Sequence, residues 1–174
     1  MANIFFTSDL HFFHQNIIQF CNRPYGSVEH MNESLIENWN KVVTPIDTVW
    51  VLGDVSFGKV KATEEILRRL NGRKHLITGN HDRKGHCEKL DWSLYFDSQH
   101  DYLRLKANNH KFVLCHFPFH SWERGYINLH GHTHGTYTSK YMQHDVGVDS
   151  NNYAPISLED VVSRALSKEN KILY

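Results

Sequence analysis

The sequence predicts an α/β fold: two packed mixed β-sheets flanked by helices, an α/β/β/α sandwich. Three observations lead there. Short unbroken apolar runs alternate with helical patterns through the first half, as parallel strands joined by crossover helices do. Two alternating runs on either side of Asn108-Asn109 open a second half that reads as a β-hairpin followed by further strands. With 174 residues, 40% of them hydrophobic and 22% charged, the chain fits one packed domain over residues 1–174.

The elements follow in order. Ile4 to Thr7 is a compact first strand, and a short helix around Asn16 to Phe20 stops before Pro24. Ser27 is placed to cap a longer helix reaching about Val43, with Met31, Leu35 and Trp39 recurring every fourth residue. Thr48 to Leu52 reads as a second buried strand. Thr63 to Leu70 is an amphipathic helix closed by Asn71-Gly72, and His75 to Thr78 is a third strand. The hairpin comprises Asp101 to Lys106 and Lys111 to His116, with strands at Ile127 to Leu129 and His144 to Val148 after it. Ser157 and Asp160 form a capping pair for a last helix with Val161, Val162 and Leu166 on its apolar face. The expectation is one parallel half and one largely antiparallel half.

Lys plus Arg and Asp plus Glu are both 19, so the net charge is 0. That argues against a nucleic-acid coat or a membrane-surface protein, which would carry a basic excess. Three scattered cysteines, without a Cys-x-x-Cys pair, suggest a reducing compartment and no cysteine-based zinc site. The start, Met1-Ala2-Asn3-Ile4, lacks signal-peptide features, and no apolar run is long enough to span a membrane. A cytoplasmic location is expected. The composition stands out in its 14 histidines, since imidazole is the commonest metal ligand.

Each predicted strand runs into metal-capable residues. These are Asp9-x-His11, Gly53-Asp54, Gly79-Asn80-His81-Asp82, His116 and Gly131-His132-x-His134. Loops at the carboxyl ends of strands in α/β sheets converge on one edge, so residues remote in sequence can meet there. Singly, each has a commonplace alternative: Asp9 as a helix cap, Gly53-Asp54 or Asn80 as turn residues, His116 as a core histidine. Five such pieces, each directly after an apolar run, point together to a metal site.

This ordered set resembles the calcineurin-like metallophosphoesterase superfamily over residues 4 to about 150. It is most similar to small stand-alone bacterial and phage members, in which a stretch like Ser8-Asp9-Leu10-His11-Phe12-Phe13-His14-Gln15-Asn16 precedes an Arg23-Pro24 pair and a helix with Met31-Asn32-Glu33. The resemblance implies two divalent metal ions. Asp9, His11, Asp54 and His134 would hold one; Asp54, Asn80, His116 and His132 would hold the other, with Asp54 bridging. It also implies that His81 sits beside the bound phosphate and that Asp82 orients its ring. Where the phosphoprotein phosphatase branch carries an Arg after Gly-Asp, this chain reads Val55-Ser56-Phe57-Gly58, which speaks against a protein phosphatase.

Oxygen and imidazole donors without thiolate suit Mn first, with Fe, Ni or Zn also compatible. Two such ions about 3.5–4 Å apart lower the pKa of a shared water, giving a bridging hydroxide for in-line attack on phosphorus. His81 is the candidate proton donor to the leaving oxygen. His14, Arg23 and Arg83 are candidate substrate contacts, with a surface histidine and solvated arginines as the alternatives. Trp122 and Tyr126 offer faces for a nucleobase or fill the core. The leading expectation is a phosphodiesterase acting on a small nucleotide-like ester. A phosphomonoesterase or nuclease on the same metals, and a non-catalytic metal-binding scaffold, are the alternatives. Oligomeric state stays open.

Overall fold

The computed structural model describes residues 2–168. In chain order it contains β1 (Ile4–Thr7), α1 (Ile17–Phe20), α2 (Val28–Val42), β2 (Thr48–Val51), α3 (Val60–Arg69) and β3 (Arg73–Ile77). Then come β4 (Ser98–His100), β5 (Tyr102–Ala107), β6 (His110–Cys115), β7 (Ile127–His130), β8 (Gln143–Asp145), β9 (Ile156–Ser157) and α4 (Leu158–Leu166). The strands form two sheets, in the orders β4-β3-β2-β1-β9 and β5-β6-β7-β8. The predicted sandwich of two mixed sheets is therefore present.

The two-residue alternation of a strand decides what each face meets. On one face of the first sheet Phe5, Val49, Val51 and Leu76 pack with Met31, Leu35 and Trp39 of α2 and with Ile66 and Leu67 of α3. On the other, Phe6, Trp50, Leu52 and Ile77 meet Phe112, Leu114, Ile127 and Leu129 of the second sheet. The Phe6 and Phe112 rings lie 5.7 Å apart. Helix α4 adds Leu158, Val161 and Ala165 to this inter-sheet core, whereas Leu166, expected on its apolar face, is 40% exposed. Ser27 and Ser157 cap α2 and α4 as expected, accepting from the amides of His30 and Asp160.

Several boundaries differ from the sequence expectation. Helix α3 starts at Val60, not Thr63, because the Thr63 amide already donates to the Lys59 carbonyl at 3.0 Å, closing a turn before it. Strand β8 ends at Asp145, and Val148 lies in a 3-10 turn over Val148–Ser150. The second sheet is not largely antiparallel: only β5 and β6 pair that way, while β6, β7 and β8 are parallel. The long connections over 116–126 and 131–142 allow those parallel returns. The hairpin turn matches its sequence signal, with Asn108 and Asn109 both at positive φ (43° and 64°). Strands β4 and β9 carry too few residues to show a pattern. Among the described residues no helix is long and apolar enough to cross a membrane.

Within β8, His144 is 8% exposed, with Nε2 3.2 Å from Asn151 Oδ1. Burial, with Lys168 and Arg164 adding to it, pushes its pKa down to about 4. An unfolded histidine titrates near 6.5, so between about pH 6.5 and 4 the unfolded chain takes up a proton that the folded one refuses. Stability should fall as pH drops through that window. His144→Gln should flatten the slope of unfolding free energy between pH 7 and 5, read by urea denaturation; an unchanged slope would exclude this contribution.

Candidate metal centre

The carboxyl ends of β1, β2 and β3 reach one rim because these strands are parallel neighbours. The loops that follow are bonded to one another. Asp9 N donates to Gly53 O, His11 N to Asp54 O and Phe12 N to Val55 O, each at 3.0 Å. Gly131 N donates to His116 O at 2.9 Å, tying together the loops after β6 and β7 of the second sheet. Asp9, His11, Asp54, His132 and His134 all have φ between 47° and 69°. Left-handed backbone at non-glycine residues costs about 1–3 kcal/mol each and persists where the surroundings over-determine it. It occurs here at five of the predicted ligand positions. Gly79 has a steric role: a Cβ there would lie 2.6 Å from Asp54 N and closer still to Asp54 Oδ1.

The predicted ligands form two clusters of ligand-type atoms, each within 4.8 Å: Asp9, His11 and His134, and Asp54, His116 and His132. Asp54 Oδ2 joins them, lying 3.6 Å from His11 Nε2 and 3.5 Å from His116 Nε2. Asn80 Oδ1 is 3.1 Å from His116 Nε2. Each carboxylate uses one oxygen on the backbone and turns the other inward. Asp9 Oδ2 accepts from His132 N at 2.8 Å, and Asp54 Oδ1 from His81 N at 2.9 Å. The imidazoles are likewise held from outside by Nδ1: His116 on the Leu52 carbonyl and His134 on Asp149, both at 2.7 Å. Such outer partners leave Nε2 for a metal.

Burial would push the Asp9 and Asp54 carboxyls up, but the surrounding histidines outweigh it and hold both below the usual carboxylate range. Reciprocally, the two carboxylates raise His11 and His116 against the effect of burial, His116 to about 9. The centre thus demands positive charge. Asp9 Oδ1 and His11 Nε2 are buried without any hydrogen-bond partner, an arrangement a folded interior normally avoids. A divalent cation accepting both atoms meets that demand, so the donor set fits a metal.

Every predicted ligand comes to this rim, together with His81. Its side chain is 39% exposed, its Nε2 is 4.0 Å from Asp54 Oδ2 and its ring lies 4.6 Å from Phe57; burial lowers its pKa. Asp82 departs from expectation. Its carboxylate accepts from the amides of Gly79, Asp54 and Val55 at 2.8–3.0 Å, so it knits two loops together instead of orienting His81. Arg23 is neither solvated nor facing substrate. Nε and Nη2 grip Asp149 at 2.8 Å, Nη2 also reaches Asp9 O, and Nη1 reaches Leu10 O and Met31 Sδ. Arg83 is exposed and paired with Asp101. His14 bonds to His11 and stacks on Phe57 with centroids 4.0 Å apart. Trp122 donates to the Tyr126 carbonyl and ties its own loop.

Asp149 and Phe57 are the residues that the sequence reading missed. Asp149 follows the expected His144 to Val148 strand directly, so the acid-after-strand rule would have found it. Phe57 carried no comparable signal.

The model of the calcineurin-like phosphoesterase family matches residues 2–172. The Methanocaldococcus jannaschii protein MJ1445 is 37% identical over 173 residues, covering 93% of this chain and 90% of its own. The gene 66 protein of Mycobacterium phage D29 is 33% identical over 182 residues, covering 86% and 89%. Among solved structures, the Aquifex aeolicus protein of unknown function AQ665 aligns with a TM-score of 0.74 at 26% identity, covering 94% of this chain and 100% of that one.

Two outcomes are expected from this geometry. Arg23→Ala strands the Asp149 carboxylate in the interior and should cost about 3–5 kcal/mol of stability in chemical denaturation. Gly79→Ala should displace Asp54 and weaken divalent-metal uptake by about tenfold or more in calorimetric titration, with the circular dichroism spectrum retained.

Proposed function

The chain belongs to the calcineurin-like phosphoesterase family, and from that premise we propose that it is a dinuclear phosphodiesterase acting on a nucleotide-like ester. Membership makes it a metal-dependent phosphoester hydrolase; the diester preference, the ligand roles and the substrate class are our reading. In that reading Asp9, His11, Asp54 and His134 hold one ion, and Asp54, Asn80, His116 and His132 the other. The donors are oxygen and imidazole, which suits Mn. Bound there, two ions would supply Lewis-acid stabilisation of phosphoryl charge and a water made nucleophilic near neutral pH.

The chain's own residues do the rest. His81 stands free of the ligand set at the solvent edge, where its imidazole can hand a proton to the leaving oxygen. An adjacent anionic phosphate raises its affinity for that proton. The buried Asp82 braces the loop that carries His81 and the loop of Asp54 through the three amides it accepts from.

The observation that carries the diester reading is the state of the two arginines read as candidate substrate contacts. Arg23 is buried with its donors engaged and Arg83 is paired with Asp101, so neither offers a free guanidinium fork for the second negative charge of a monoester. A diester carries one charge only. Phe20 and Phe117 support a nucleotide-like ester. They are 71% and 44% exposed and meet the edges of His14 and His132 at 6.3 and 4.6 Å, leaving aromatic faces on which a base can stack.

Mn²⁺-loaded protein should hydrolyse bis(p-nitrophenyl) phosphate with a higher kcat/KM than p-nitrophenyl phosphate; the reverse order would overturn the diester reading. His81→Ala should keep its metal content by elemental analysis and lose about 10²–10⁴-fold in kcat. Full turnover in that variant would remove His81 from the chemistry.

A further inference from the structure

The partner of His11 differs in kind from those of the other two anchored imidazoles. His116 and His134 lean on oxygen acceptors, a carbonyl and a carboxylate. His11 Nδ1 instead meets a second imidazole, His14 Nδ1, at 3.0 Å. A bond between two ring nitrogens needs one that carries a proton and one that is bare. A proton on His11 Nε2 would point at Asp9 Oδ1 and Asp54 Oδ2, 3.8 and 3.6 Å away, and would leave no lone pair for a cation. With the proton on Nδ1, His11 donates to His14 and bares Nε2 between the two carboxylates. His14 Nδ1 is then the acceptor, and its own proton sits on Nε2.

The ring of His14 is set for this task. It lies nearly parallel to Phe57, with an interplanar angle of 16°, and the same Phe57 ring stacks against His11 at 5.1 Å. The backbone adds a tie, His14 N donating to His11 O at 3.1 Å.

We propose that His14 is a positioning residue that fixes the tautomer and ring orientation of His11 through an Nδ1–H···Nδ1 bond, and so sets the metal affinity of the Asp9–His11–His134 cluster. The proposal rests on His11 being a metal ligand, as read above.

Two variants separate the bond from the packing. His14→Phe keeps a flat ring over Phe57 and removes the acceptor, whereas His14→Asn puts an amide oxygen close to where Nδ1 lies. In Mn²⁺ titrations of the full chain, followed by calorimetry and electron paramagnetic resonance, His14→Phe should weaken one of the bound ions by about 10–100-fold. His14→Asn should recover most of that loss. In wild type loaded with diamagnetic Zn²⁺, long-range ¹H–¹⁵N spectra should show His11 protonated on Nδ1. Undiminished affinity in His14→Phe, failure of His14→Asn to recover affinity, or a His11 without a proton on Nδ1 in the Zn²⁺-loaded protein would each overturn the proposal. His11→Ala is the control. If it too binds Mn²⁺ like the wild type, the ligand assignment falls and takes the proposal with it; if it alone loses metal, only the role of His14 falls.

Discussion

Two buried carboxylates at one rim of a protein interior are tolerable only where positive charge comes to meet them. Asp9 and Asp54 are both almost fully buried, and the groups facing them are imidazoles whose own proton affinity they raise. Metal binding at such a site releases those protons, so the ion and the imidazolium charges are alternative answers to the same electrostatic demand. The left-handed turns, the close approach of Gly79 and the outward anchoring of the rings all serve to bring these charges together.

The sandwich makes the convergence inexpensive in backbone terms. Three parallel strands of one sheet and two of the other end at the same rim, so each proposed ligand sits on the first residues of a loop whose root is fixed by a buried strand. The rim is stitched by amide–carbonyl bonds between loops and not by side chains alone. Backbone bonds of this kind hold the loops in place around the centre, and preorganised charge needs no rearrangement at the moment of reaction.

Around this centre the polar residues divide into those that face inward and those that hold them. Asp149 is the hub of the second group, joining His134 to Arg23, and through Arg23 to the carbonyls of Asp9 and Leu10. Asp82 has the same function for the Asp54 and Gly79 loops. A conspicuous arginine and a conspicuous acid in the sequence thus turn out to stabilise the loops that carry the ligands.

Local periodicity and turn chemistry were enough to locate most strands, the Asn108-Asn109 hairpin and the two serine-capped helices. The order of metal-capable residues behind those strands was enough to name a family and to single out residues that the fold brings to one rim. These features are readable because burial, capping and left-handed turns are decided within a few residues of chain. Partner choice is not. Arg23 finds Asp149 across 126 residues, Asp82 reaches the amides of Asp54 and Val55 in another loop, and His14 pairs with His11 over a phenylalanine that no pattern singled out. The parallel course of β6, β7 and β8 likewise depended on where two long connections run. A buried polar group takes whichever partner the packed fold delivers to it, and that is a property of three-dimensional proximity that no local stretch of sequence contains.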